Sequence, residues 1–234
     1  MSNIPNSMRI LRPAFRFSIF SLAFWILEFL YQYYLLVPKN LPSALVRSFA
    51  LTGATLIGAA LFSSAIFKWF PRTARYWQYR RYLGVSGAVF VNFHALAAYY
   101  SVYDFDIGAA YYTFNPIKNP IVFGSLALPI FLLMALTSTD WAVQKLGGRN
   151  WKTLHRFVYI AYPLSIFHFL LMRPEDLVTA PGILLLVVTL LALFGQIFWF
   201  FKIAGAKHFR SLGSFVGSAI ILFVFVIAYL IFNS

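Results

Sequence analysis

The chain has 234 residues, of which 61% are hydrophobic and only 11% charged, against roughly 45–50% and 25% in soluble domains. So few charges cannot cover a soluble fold of this length, and the absence of cysteine removes disulfide scaffolds, iron–sulfur clusters and thiolate metal sites. The net charge of +13, from 19 Lys and Arg against 6 Asp and Glu, marks either a nucleic-acid surface or an asymmetric membrane topology.

A membrane-spanning helix needs about 20 mainly apolar residues. Taken in chain order, the stretches 15–37, 44–69, 82–102, 120–136, 153–172, 181–203 and 212–232 qualify, the fourth and fifth being the shortest. The fold expected is an all-α polytopic membrane protein, a single transmembrane domain over 1–234 built as a bundle of about seven helices. The cations then fall into order. Arg9, Arg12 and Arg16 precede the first span, and Lys68, Arg72, Arg75, Arg80 and Arg81 sit between the second and third. Lys145, Arg149, Lys152 and Arg156 sit between the fourth and fifth, and Lys202, Lys207 and Arg210 between the sixth and seventh. Lys39, Arg47, Lys118 and Arg173 lie on the other side. This alternation predicts a cytoplasmic N-terminus and an exterior C-terminus. It also argues against a nucleic-acid partner, because the basic residues are divided among separate connections and form no single face.

The connections are short. The longest, 103–119, is too small for a nucleotide-binding domain of ~100 residues, and the sequence has neither G-x-G-x-x-G nor a P-loop pattern. The chain is therefore not expected to bind NAD(P)H through a Rossmann fold or to hydrolyse ATP through a P-loop.

Ionisable groups inside spans are costly and mark function. Three stand out: Glu28 in the first span, His94 in the third and His168 in the fifth. His94 lies about 18 Å along its helix from Tyr82, and His168 about 22 Å from Thr153, at 1.5 Å per residue. Both spans run outward, so the two histidines share a depth in the outer half. Two imidazoles at one level suit axial ligation of a haem iron; two histidines each bonded to a carbonyl in a packed interface is the alternative. Zinc fits less well, with no Cys and no acidic residue nearby in sequence. His155, at the inner end of the fifth span, precedes His168 by 13 residues, which leaves their side chains about 220° apart on an ideal helix. Pro163 lies between them as a source of irregularity. His208 sits in a basic connection.

The run Leu136-Thr137-Ser138-Thr139, then Lys145-Leu146-Gly147-Gly148-Arg149-Asn150-Trp151-Lys152-Thr153-Leu154-His155-Arg156-Phe157-Val158-Tyr159, then His168, resembles the ferric reductase-like transmembrane domain family. Within that family it looks most like the haem-binding membrane subunits of bacterial periplasmic methionine-sulfoxide reductase systems. Arg80-Arg81-Tyr82-Leu83-Gly84, His94, and Asn119-Pro120 through Gly124 agree with this. The resemblance covers about 46–193 as a haem-binding core, leaving 204–234 as an additional C-terminal transmembrane helix that departs from the pattern.

The resemblance implies one or two b-type haems held by histidines, with His94 and His168 as outer ligands and His155 as the inner histidine. Larger relatives carry a second histidine on the third span, where this chain has Arg81. Arg80 and Arg81 are accordingly expected to meet the acidic groups of an inner cofactor, haem propionates or the phosphate of FMN. The function implied is electron transfer across a bacterial inner membrane. Electrons would pass from a cytoplasmic flavin reductase or quinol to an exported molybdenum-cofactor reductase that repairs methionine sulfoxide. A ferric or metal-chelate reductase, or a quinol-linked cytochrome b, is the alternative; a haem-free seven-helix transporter is the third reading.

Overall fold

The computed structural model describes residues 6–203, with their side chains from 13 to 197. Every regular element among the described residues is helical. They are α1 (Asn6–Tyr31), α2 (Leu41–Trp69), α3 (Trp77–Ser101), the single turn α4 (Ile107–Ala110), α5 (Ile121–Leu136), α6 (Asp140–His155), α7 (Val158–Met172) and α8 (Ala180–Ile203). A π-helical turn, Gln32–Leu36, continues α1, and 3-10 turns at Pro71–Tyr76 and Pro174–Val178 precede α3 and α8.

Four helical stretches are long and apolar enough to cross a membrane: Pro13–Leu36, Leu41–Trp69, Pro71–Ser101 and Ala180–Ile197. α5 and α6 pass the same test only together, as a pair bent by 113°. The count among the described residues is thus four to five where the sequence suggested seven. The shortfall has a physical reason. α5 has 16 residues and α7 has 15, about 24 and 22 Å of helix against a hydrocarbon core of about 30 Å. The predicted fifth span, 153–172, is divided, its first residues belonging to the end of α6. The predicted seventh span, 212–232, lies outside the described residues, as do Lys207, His208 and Arg210.

The chain forms two compact units that meet between Asp106 and Ile107. In the first, α2 and α3 pack through two glycines. A Cβ on Gly53 would lie 2.9 Å from the Gly87 carbonyl oxygen, and one on Gly87 would lie 2.8 Å from the Gly53 carbonyl oxygen. Only hydrogen fits at this crossing, the small-residue packing that membrane helices use in place of a hydrophobic drive. α1 is turned inside out relative to a soluble helix. Its buried positions are Ser21, Glu28 and, in the π turn, Gln32, while Phe15, Leu22, Ile26 and Leu27 are exposed. Gln32 Nε2 donates to Glu28 Oε1 at 2.9 Å. Trp25 donates to Ser48 Oγ at 3.2 Å and stacks on Phe49, which sets the register of α1 on α2. Polar residues inward and apolar residues outward is the pattern of a helix whose solvent is lipid.

In the second unit α5 packs on α7, with Phe123 against Phe167, and α7 on α8. Tyr162 donates to Thr189 Oγ1 at 2.8 Å, and Thr189 donates to the Leu185 carbonyl at 2.7 Å. Between α7 and α8 the Asp176 carbonyl oxygen sits 1.9 Å from where a Cβ on Gly182 would fall, so the return into α8 is open to glycine alone.

Candidate haem-ligand histidines

α2 starts at a fixed point. Asn40 caps it by accepting from Ser43 N at 3.1 Å, and Pro42 occupies its first turn, where a missing N–H is harmless. One turn further on, the Val46 carbonyl oxygen lies 2.9 Å from Nδ1 of His94 on α3. The second unit repeats this arrangement. The buried Asn119 donates Nδ2 to the Ala110 and Thr113 carbonyls and accepts from Ile121 N, pinning the start of α5. The Pro120 carbonyl oxygen there stands 3.0 Å from Nδ1 of His168 on α7. In both pairs the histidine follows its carbonyl by 48 residues.

A carbonyl only accepts, so both bonds place the proton on Nδ1, and the lone pair of each neutral ring lies on Nε2. Nδ1 held by a backbone carbonyl is the arrangement that fixes the tautomer and orientation of metal-ligating histidines. The donor set therefore fits haem iron. Of the two alternatives left open by the sequence, the carbonyl bond is present at both rings, and it is compatible with ligation through the other nitrogen.

His168 has a special seat. A Cβ on Gly124 would stand 3.2 Å from its Cγ and 3.3 Å from Cδ2 and Nδ1, which places Gly124 over the face of the imidazole.

His155 is held differently. Its ring stacks on Trp151 with centroids 3.9 Å apart, and Nε2 lies 3.2 Å from Thr137 Oγ1. Trp151 Nε1 donates to the Thr137 carbonyl at 2.8 Å, so the end of α5 and the end of α6 are knotted around Thr137. The irregularity required between His155 and His168 exists, but not at Pro163, which stays inside α7. The break is at Arg156 and Phe157, between α6 and α7. α6 has its own break at Gly147, whose φ of 73° and ψ of 147° interrupt the helix.

Residues 46–166, just over half of the chain, match the family described as ferric reductase like transmembrane component. The chain belongs to that family. Among curated proteins it is similar to the protein-methionine-sulfoxide reductase heme-binding subunits MsrQ of Brucella ovis, Brucella canis and Brucella suis. Each is 35% identical over 95 residues, covering 40% of this chain and 42% of the relative; the alignment thus spans less than half the length of those relatives. No solved structure matches.

In this ferric reductase-like chain Arg80 has local partners. Nη1 donates to Ser64 Oγ at 3.2 Å, and the guanidinium lies 4.2 Å from the Trp77 ring centroid. Arg81 is half-buried in the second turn of α3. Among the described residues no group of three or more His, Asp or Glu assembles a metal site. Sequence reasoning had no means of finding Val46 as a partner of His94, because a backbone carbonyl carries no residue identity. Gly124 and Thr137 lie within the family-like stretches, yet their contacts with His168 and His155 appear only in the fold.

Proposed function

We propose that this chain is a haem b membrane electron-transfer subunit in which His94 and His168 would hold the haem iron on the outer side. The observation that carries this reading is the pair of matched Nδ1–carbonyl bonds, at identical 48-residue separations, in a chain of the ferric reductase-like family. Haem, when bound, supplies one-electron exchange at its iron. The Val46 and Pro120 carbonyls would hold the two imidazoles by their Nδ1 protons, and the protein's part would be to supply and orient these ligands.

The relatives' name supports an acceptor in methionine-sulfoxide repair, which we take to be an exported molybdenum-cofactor reductase. The cytoplasmic donor is a flavin reductase or quinol, with FMN as an additional cofactor. His155, Arg80 and Arg81 contact an inner cofactor on the cytoplasmic side of a bacterial inner membrane, in a core spanning 46–193. A ferric or metal-chelate reductase, favoured by the family description itself, is the second reading.

The deciding experiment is the pyridine haemochrome spectrum of the purified chain, followed by addition of ferric chelate or an exported methionine-sulfoxide reductase to the dithionite-reduced protein. A b-type spectrum with reoxidation by the reductase alone supports the first reading. Reoxidation by the chelate alone supports the second, and absence of haem from protein made with ample haem supply overturns both.

A further inference from the structure

We propose that Gly124 is a positioning residue: it sets the ring plane of His168 and makes the two ligand histidines inequivalent. The inference rests on the assignment of His168 as an iron ligand. Three atoms of the imidazole lie within 3.2–3.3 Å of the point where a Cβ on Gly124 would stand, nearer than ordinary carbon contact. Such near-equal distances to Cγ, Cδ2 and Nδ1 mean that the point is above the ring face and not at its edge. The imidazole therefore lies flat on the backbone of α5, one turn past the carbonyl that holds its Nδ1.

Two constraints now act on one side chain. The Pro120 carbonyl, 3.0 Å from Nδ1, fixes where the ring points. The bare Cα of Gly124 fixes its rotation about that direction. An added methyl leaves the first intact only if the ring tilts or slides by a few tenths of an ångström. In the first unit the position four residues after the carbonyl is Ala50, so His94 has no such bare seat at the matching place. The sequence thus supplies one ring resting on backbone and one beside a methyl-bearing residue, within an otherwise repeated design. The plane of an axial imidazole determines its overlap with the iron d orbitals, so rotation of one ring alters the electronic structure of the iron without altering which atoms bind it.

The test is the electron paramagnetic resonance spectrum and midpoint potential of ferric wild-type and Gly124→Ala protein, purified in the same detergent. Gly124→Ala is expected to retain haem and low-spin character, to displace the largest g value and to shift the potential. Full haem content with both quantities unmoved overturns the inference while leaving the haem reading in place. Wild-type protein without haem overturns the haem reading, and this inference with it. Should Gly124→Ala lose haem, its size-exclusion profile and helicity are compared with those of His168→Ala. Matching monodisperse, helical apo-proteins support an effect exerted through the ligand; an aggregated Gly124→Ala beside a well-behaved His168→Ala shows a role in helix packing and overturns it.

Discussion

Nε2 of His155 lies 3.2 Å from Oγ1 of Thr137, and the Thr137 hydroxyl donates its own proton to the Leu133 carbonyl oxygen 2.8 Å away. Oγ1 must therefore accept, and His155 carries its hydrogen on Nε2. This is the opposite tautomer to His94 and His168, whose hydrogens are on Nδ1. His155 donates from Nε2 and stacks on Trp151, whereas His94 and His168 donate from Nδ1. A division of labour follows. His94→Ala or His168→Ala should abolish the low-spin haem signal or convert it to high-spin. His155→Ala should leave that signal in place and slow reduction by a cytosolic flavin reductase with NADH several-fold. Optical spectra and stopped-flow reduction of the three variants check this, and loss of the low-spin signal in His155→Ala would refute the division.

Much of this design was legible beforehand, and the limits are physical. Counting residues along apolar stretches gives His94 and His168 an expected depth, because helical rise is constant, and the fold shows the Nδ1–carbonyl bond each of them makes. The course of the chain between α5 and α7 does not follow from such counting. Thr137 through Thr139 and Gly147 look like ordinary polar residues at a membrane boundary, and nothing in their spacing shows that α6 turns 113° away from α5 or that Thr137 gathers Trp151 and His155. Pro163 is the one strong helix breaker between His155 and His168. It is instead carried inside α7, and the helix is interrupted at Arg156-Phe157, where no residue announces it.

The crossing of α2 and α3 gives a second prediction. Gly53→Ala places a methyl 2.9 Å from the Gly87 carbonyl oxygen and the Val91 nitrogen. These are backbone atoms, so relief requires the helices to separate. Overpacking of this kind costs about 1–3 kcal/mol. Gly53→Ala and Gly87→Ala should each lower the thermal midpoint in detergent. Because the His94–Val46 bond joins the same two helices, both should also loosen haem retention. Gly84→Ala, whose Cβ would meet only the Ala60 methyl at 3.8 Å, is the neutral control on the same helix.

The adjacent glycines of α6 supply a sharper contrast. Gly147 has φ 73° and ψ 147°, a region essentially closed to side-chain-bearing residues, at about 1–3 kcal/mol. Gly148 has no positive φ and nothing within 4 Å of an added Cβ. Gly148→Ala should be neutral, or stabilising by about 0.5–1 kcal/mol through helix propensity. Gly147→Ala should destabilise and disturb the Trp151–His155 stack, read as a change in tryptophan fluorescence. Equal effects from the two substitutions would contradict the break at Gly147.

The last prediction concerns sidedness. Lys145, Arg149, Lys152 and Arg156 lie on or next to α6, and the positive-inside rule assigns that helix to the cytoplasmic surface. The connection 103–119 then belongs outside, one passage of α5 away. α5 is only 16 residues long and sharply bent against α6, the geometry of either a short span or a re-entrant segment. The absence of native cysteine allows a clean decision. Phe114 is 77% exposed and Arg149 is exposed in α6, so single cysteines at either position are reachable without disturbing a core. A membrane-impermeant maleimide applied to intact spheroplasts should label Phe114→Cys and spare Arg149→Cys until the cells are lysed. Labelling of Arg149→Cys alone would invert the orientation. Labelling of both in intact cells would make α5 re-entrant, placing the basic face of α6 on the outer side and removing it as a docking surface for a cytoplasmic donor.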